Sequence, residues 1–148
     1  MIGKRLFLIG LCVPGVALVA ALLAGCSGGT GRVEAGLGEE FSLAIGQSAS
    51  ITGEDLEVTF LDVVEDSRCP RDVVCVWEGR VTCSVEFVSP ESGGQTGDTV
   101  MLTQPGLTDE AAVETYQGYR IAFRVVPYPE AGTPVPRDEY RLFLTITR

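Results

Sequence analysis

The chain has 148 residues, enough for one domain of modest size. It carries 20 acidic and 11 basic residues, a net charge of −9, and no histidine. The acidic balance argues against nucleic acid as a partner, because like charges would repel the phosphates. The lack of histidine removes the usual general base near neutral pH and a common zinc ligand. We therefore expect no nucleic-acid partner, no cofactor and no bound metal.

Residues 1–25 have the layout of an export signal, with two early positive charges followed by an apolar run from Leu6 to Ala24. The tetrad Leu23-Ala24-Gly25-Cys26 resembles the bacterial lipobox, in which the cysteine is acylated and becomes the mature N-terminus. We predict a lipoprotein signal peptide at 1–25 and lipidation at Cys26. The alternative is an uncleaved membrane anchor, since the apolar run is long enough to span a bilayer.

Acyl chains at Cys26 would anchor the protein permanently to a bacterial membrane and place its body outside the cytoplasm. Residues 26–39 are rich in glycine and predict a flexible tether. Residues 40–148 predict the folded domain. The expected partners are the membrane, through the acyl chains, and an envelope protein or a small ligand.

Alternation of apolar and polar residues indicates β-strands throughout the body. The runs begin near residues 41, 56, 81, 99, 119 and 140. The segment "GQSAS" predicts a turn, and residues 108–116 predict either a helical turn or a long loop. Six or seven short strands favour an all-β antiparallel β-sandwich of Greek-key or immunoglobulin-like type, with a small barrel as the alternative. Tyr140 resembles the tyrosine that pins a Greek-key corner.

The stretch "EDSRCPRDVVCVWEGR", residues 65–80, concentrates cysteine, charge and the only tryptophan of the chain. Export would allow Cys69, Cys75 and Cys83 to oxidise. A bridge between Cys69 and Cys75 would close the short loop. A bridge between Cys75 and Cys83 is the rival, and the turn at Glu78-Gly79 would decide whether the register permits it. Cys83 lies on the apolar face of a strand, which suits a buried thiol.

Four segments, "FSLAIGQSASI", "LEVTFLDVVEDSRCPRDVVCVWEGRV", "GYRIAFRVVPYP" and "DEYRLFLTI", resemble a family of small exported bacterial lipoproteins of unestablished function. The resemblance spans most of residues 41–147. The residues that match the family pattern are Asp66, Ser67, Arg68, Cys69, Pro70, Cys75, Trp77 and Gly79. The pattern omits Cys83, which implies that Cys69 pairs with Cys75. Glu78 departs from the small residue expected before Gly79.

The candidate binding patch consists of Asp66, Arg68, Arg71 and Trp77. Arginine binds carboxylates bidentately and stacks on aromatic rings, and tryptophan often anchors interfaces. The alternative interpretation is a structural ion pair with the tryptophan packed over the disulfide.

The other acidic residues of this region predict no site. Asp62, Glu65 and Asp66 lack the spacing of a calcium loop and are expected to form a solvated acidic edge. We expect a non-catalytic binding or envelope-interaction module. The alternatives are a structural accessory subunit of an envelope complex and, more remotely, a small carboxylate-dependent hydrolase.

Overall fold

The computed structural model describes residues 31–89, 97–106 and 110–148, and these residues form an all-β structure. The predicted signal peptide and Cys26 lie outside the described residues. The described part contains no α-helix, only a short 3-10 turn at Arg137–Glu139. The strands are β1 Val33–Gly36, β2 Glu40–Ala44, β3 Ser48–Thr52, β4 Leu56–Asp66, β5 Arg80–Val88, β6 Asp98–Pro105, β7 Ala112–Tyr116, β8 Tyr119–Val126 and β9 Arg141–Thr147. The predicted all-β class is confirmed.

The strands form two sheets. The first has five strands in the order β1-β3-β4-β5-β6, and the second has four in the order β2-β9-β8-β7. Neighbouring strands are antiparallel except for β1 and β3, which run parallel with Val33 beside Ala49. The prediction of a purely antiparallel arrangement is therefore wrong at this edge of the first sheet.

Buried residues of both sheets make one hydrophobic cluster. The alternation in β5 is the clearest case, because Val81, Cys83, Val85 and Phe87 are all fully buried while their neighbours are not. This follows from the period of two in a strand, which sends alternate side chains to opposite faces. The face that carries these four side chains is the one that the sequence predicted as apolar.

The buried polar side chain of Gln104 connects the two sheets. Gln104 of β6 is 3% exposed, and its Oε1 accepts a hydrogen bond from the backbone N–H of Val125 in β8 at 2.9 Å. Its Nε2 donates to the carbonyl of Glu110 at 3.0 Å. Because a buried amide without a partner is costly, these contacts account for a polar residue in an apolar layer.

Three strands differ from the sequence prediction. β1 lies inside the predicted tether of residues 26–39, so the ordered body begins at least seven residues earlier than residue 40. β3 overlaps the end of the predicted "GQSAS" turn, and the observed turn centres on Ile45 and Gly46, where the N–H of Gln47 donates to the carbonyl of Ala44 at 2.9 Å. β7 occupies 112–116, where a helical turn or a loop was expected, while residues 107–109 lie outside the described part. These strands are short and carry few large apolar side chains, so their alternation is weak.

Candidate functional site

The connection between β4 and β5, residues 67–79, is called the braced loop. A disulfide joins Cys69 to Cys75, as predicted. The backbone N–H of Cys69 also donates to the carbonyl of Glu78 at 3.1 Å, which holds the two ends of the loop together. The rival pairing is wrong: Cys83 is a free, buried thiol in the middle of β5, level with Val63 of β4.

A buried arginine fixes the start of this loop. The Arg68 side chain is 1% exposed and grips Asp66 with two hydrogen bonds, Nε to Oδ1 at 2.8 Å and Nη2 to Oδ2 at 2.6 Å. The same guanidinium donates to the carbonyls of Val125 at 2.8 Å and Pro127 at 2.9 Å. Guanidinium geometry suits this bidentate and carbonyl-rich setting, which a lysine would not satisfy.

Tyr140 completes this arrangement by donating its hydroxyl to Oδ2 of Asp66 at 3.0 Å. We call the side chains of Asp66, Arg68 and Tyr140, with the carbonyls of Val125 and Pro127, the Arg68 clamp. A Greek-key corner tyrosine bonds to backbone a few residues upstream. Tyr140 instead donates to the carboxylate of Asp66, 74 residues earlier in the chain. The prediction of a Greek-key corner tyrosine is therefore wrong as to its hydrogen-bond partner. The clamp joins β4 of the first sheet to the end of β8 and the start of β9 in the second.

The far end of the braced loop packs through glycine. Gly79 has φ +68, and a Cβ at this position would overlap the carbonyl of Ser67. Gly106 donates its N–H to the Gly79 carbonyl at 3.0 Å. The unusual Glu78 does not disturb this tight packing, because its side chain is exposed.

The outer part of the braced loop is apolar and faces solvent. The exposed fractions are 102% for Val74, 93% for Val76 and 82% for Trp77, the highest among the large apolar side chains of the described residues. We call these three residues the apolar tip. The interpretation that the tryptophan packs over the disulfide is wrong, since most of its surface is free.

The predicted patch of Asp66, Arg68, Arg71 and Trp77 therefore does not form one surface. Asp66 and Arg68 are inside the clamp and are unavailable to a partner. Arg71 is exposed, with its Cζ 4.9 Å from the centre of the Tyr128 ring, and Trp77 stands on the tip. The sequence signal that would have pointed to the tip is the apolar run "VVCVW" inside a loop.

The carboxylates considered as calcium ligands face three different arginines. The pairs are Asp62 with Arg137 at 3.0 Å, Glu65 with Arg80 at 3.3 Å and Asp66 with Arg68 at 2.6 Å. They do not converge on a common point. Among residues 31–89, 97–106 and 110–148, no group of three or more His, Cys, Asp or Glu side chains could hold a metal ion.

Two clefts share Tyr128, whose ring lies against Arg71 of the braced loop. One of about 190 Å³ is lined by Arg71, Gln104, Arg124 and Tyr128, among others. The other, of about 210 Å³, lies between Tyr128 and the prolines that follow it. Both are smaller than the roughly 300 Å³ at which typical ligand pockets begin.

None of the helical turns in the described part of the chain has the length and hydropathy to cross a membrane.

We expect loss of the Arg68 guanidinium to destabilise the protein strongly. Arg68→Met leaves the buried Asp66 carboxylate unpaired, which should lower the free energy of unfolding by about 3–5 kcal/mol in urea titrations. Arg80→Met is the matched control, because its pair with Glu65 is exposed and should contribute less than about 1 kcal/mol. If Arg68→Met does not fold, Arg68→Lys is measured in its place, because this variant keeps the charge but lacks the planar fork of the guanidinium. Equal losses for the Arg68 and Arg80 variants would contradict the clamp.

We also expect stability to fall at alkaline pH. Burial, aided by the hydrogen bond to Asp66, raises the pKa of Tyr140 from 10.0 to about 12, and burial raises the pKa of Cys83 from 9.0 to about 12. The unfolded chain releases these protons first, so the stabilisation is complete below pH 9 and is lost as the pH rises towards 12. Tyr140→Phe should flatten this decline in urea titrations across the range, although it lowers stability at neutral pH. An unchanged slope would show that Tyr140 is not the titrating group.

No protein-family model, curated protein or solved structure matches the chain. The resemblance to small exported lipoproteins therefore stays a prediction. The function of the braced loop has to be inferred from its own contacts. The disulfide closes the loop into a ring, buried hydrogen bonds hold the base of the loop, and its apolar side chains face solvent.

Proposed function

We propose that the chain is a lipid-anchored, extracytoplasmic, non-catalytic module that binds through the apolar tip of its braced loop. The observation that carries this proposal is the exposure of Val74, Val76 and Trp77, which are 82–102% accessible. Exposed apolar side chains grouped on one feature are typical of an interaction site, whereas scattered ones are not.

The rigidity of the loop supports binding. The disulfide closes the ring, the Arg68 clamp fixes one end and the Gly79 packing fixes the other. A loop held in one conformation loses little conformational entropy when it meets a partner, so more of its contact energy becomes affinity. Tryptophan adds to this, because it combines a large contact area with few rotatable bonds.

The lipid anchor and the compartment rest on the sequence and on the disulfide. Structural disulfides persist mainly outside the reducing cytoplasm, so the bond between Cys69 and Cys75 supports export. The lipobox-like tetrad that ends at Cys26 supports acylation. The quoted resemblance to small exported lipoproteins points in the same direction.

We further propose that the two sheets form a sandwich of Greek-key or immunoglobulin-like type. The single hydrophobic cluster with members from both sheets supports a sandwich. The strand order of the second sheet, β2-β9-β8-β7, supports long connections between sheets. In this arrangement loops gather at the ends of the sheets, where binding loops of such folds are found.

The arrangement of the carboxylates supports the non-catalytic part of the proposal. A carboxylate-dependent hydrolase needs two acids that face the same substrate bond. Asp62, Glu65 and Asp66 each face a separate arginine instead.

The anchor is tested by metabolic labelling of the full chain with an alkyne analogue of palmitate. We expect label in the wild type and in Cys12→Ala, whose cysteine lies in the predicted signal, and no label in Cys26→Ala. The Cys26→Ala protein should also leave the membrane fraction. Label that persists in Cys26→Ala, or its absence from the wild type, would overturn the lipoprotein assignment.

Binding through the tip is tested with a photo-crosslinking amino acid placed at Val74 in intact cells. We expect covalent adducts from position 74 and none from position 113, since Val113 is also exposed, at 44%, but lies on β7 in the other sheet. Adducts are identified by mass spectrometry. Equal crosslinking from both positions would contradict a specific role of the tip.

A further inference from the structure

The chain enters the first sheet through β1, whose direction can be compared with the position of the braced loop. β1 runs parallel to β3, and β3 runs antiparallel to β4. Followed backwards from Val33, the chain therefore runs towards the Asp66 end of β4, where the braced loop begins. Gly31 lies level with the middle of β4, because its carbonyl accepts a hydrogen bond from Gln47 at 3.1 Å and Gln47 in turn pairs with Phe60.

The length of chain before Gly31 limits how far the body can move from the membrane. Cys26 precedes Gly31 by five residues, which span at most about 17 Å. The part of β4 from Phe60 to Asp66 covers about 20 Å at the usual strand rise. Acyl chains at Cys26 would thus keep the body close to the bilayer, and the direction of β1 favours the loop end as the end that faces it. The tether is shorter than residues 26–39 suggested, since β1 belongs to the sheet.

The chemistry of the tip fits the interfacial layer of a bilayer. Tryptophan is enriched at this depth, and valine gains from leaving water. No charged residue lies between Val73 and Trp77. The neighbouring Asp72 is directed back to the body, where its carboxylate accepts the N–H of Ala131 at 3.0 Å.

The opposite end of the first sheet lacks these properties. Its turn between β3 and β4 carries Glu54 and Asp55, which a bilayer with anionic lipids would repel. The mature chain from Cys26 onward is acidic, with 20 acids against nine arginines after removal of Lys4 and Arg5 from the 11 basic residues. This acidity disfavours attraction of the whole body to anionic lipid, so a membrane contact would be apolar and local.

We propose that Val74, Val76 and Trp77 insert into the interfacial layer of the same membrane that holds the acyl chains at Cys26. This inference rests on the proposed function and names the partner of the tip. The protein is then attached at two points, the lipid and the loop, which fixes the orientation of the body on the membrane surface. If a protein is found bound to the tip, that protein replaces the membrane as its proposed partner.

The test uses Trp77, the only tryptophan of the chain, as its own reporter. The full acylated protein is reconstituted into vesicles of phosphatidylethanolamine and phosphatidylglycerol, and flotation reports the anchor. We expect brominated lipids to quench Trp77 fluorescence. We expect aqueous iodide to quench Trp77 less in the vesicle-bound protein than in protein unfolded in detergent-free urea, where the side chain is in water. The double variant Val74→Glu, Val76→Glu should lose the bromolipid quenching. Val113→Glu should retain it.

The two proposals fail in different ways. If the protein does not float with the vesicles, the lipid anchor is wrong and the membrane contact falls with it. If it floats but iodide quenches Trp77 fully and brominated lipids do not, the anchor stands and the membrane contact of the tip is wrong. In that case protein adducts from the crosslinker at position 74 would identify the occupant. Far-ultraviolet circular dichroism is the control for folding of the glutamate variants, all of which are at exposed positions.

Discussion

The structure depends on a buried cation. Arg68 carries its charge to the boundary between the two sheets, where Asp66 neutralises it and two carbonyls and a tyrosine complete the hydrogen bonds. Removing both ions from water is costly, and the cost is offset only when the geometry satisfies each group. The described buried side chains meet this condition, since none of their nitrogen or oxygen atoms lacks a partner. The clamp therefore favours one relative placement of β4, β8 and β9.

The braced loop uses this fixed base. Its first residues are held by ionic hydrogen bonds, its middle by a covalent ring and its last residues by glycine packing. Each constraint is different in kind, and together they hold the ends of the loop while residues 71–78, which include the tip, stay exposed. A loop that merely connected two neighbouring strands would need a few residues and no disulfide. The protein instead maintains thirteen residues, numbers 67–79, that bring valine and tryptophan into solvent.

The sequence predicted much of the fold because large alternating side chains report the period of a strand. β5 and β9 show this, and the disulfide followed from loop closure and the resemblance. β1 and β7 were not predicted, because these edge strands bury few side chains and their sequence pattern resembles that of a loop. The candidate patch was wrong as a single surface since linear order cannot tell which of two neighbouring arginines turns inward. Arg68 turns inward because it hydrogen-bonds to the carbonyls of Val125 and Pro127. These residues lie 57 and 59 positions further along the chain, so no local sequence pattern reveals the contact.

These separations have a consequence for the order in which the chain can form its contacts. The cysteine ring spans six positions and needs no other part of the chain, whereas the clamp draws on β8 and on the residue that precedes β9. During folding the ring can close within its own segment, whereas the clamp is complete only when Tyr140, near the end of the chain, is in place. A polypeptide that terminates before Tyr140 could thus still form the cysteine ring, but it would lack β9 and the tyrosine of the Arg68 clamp.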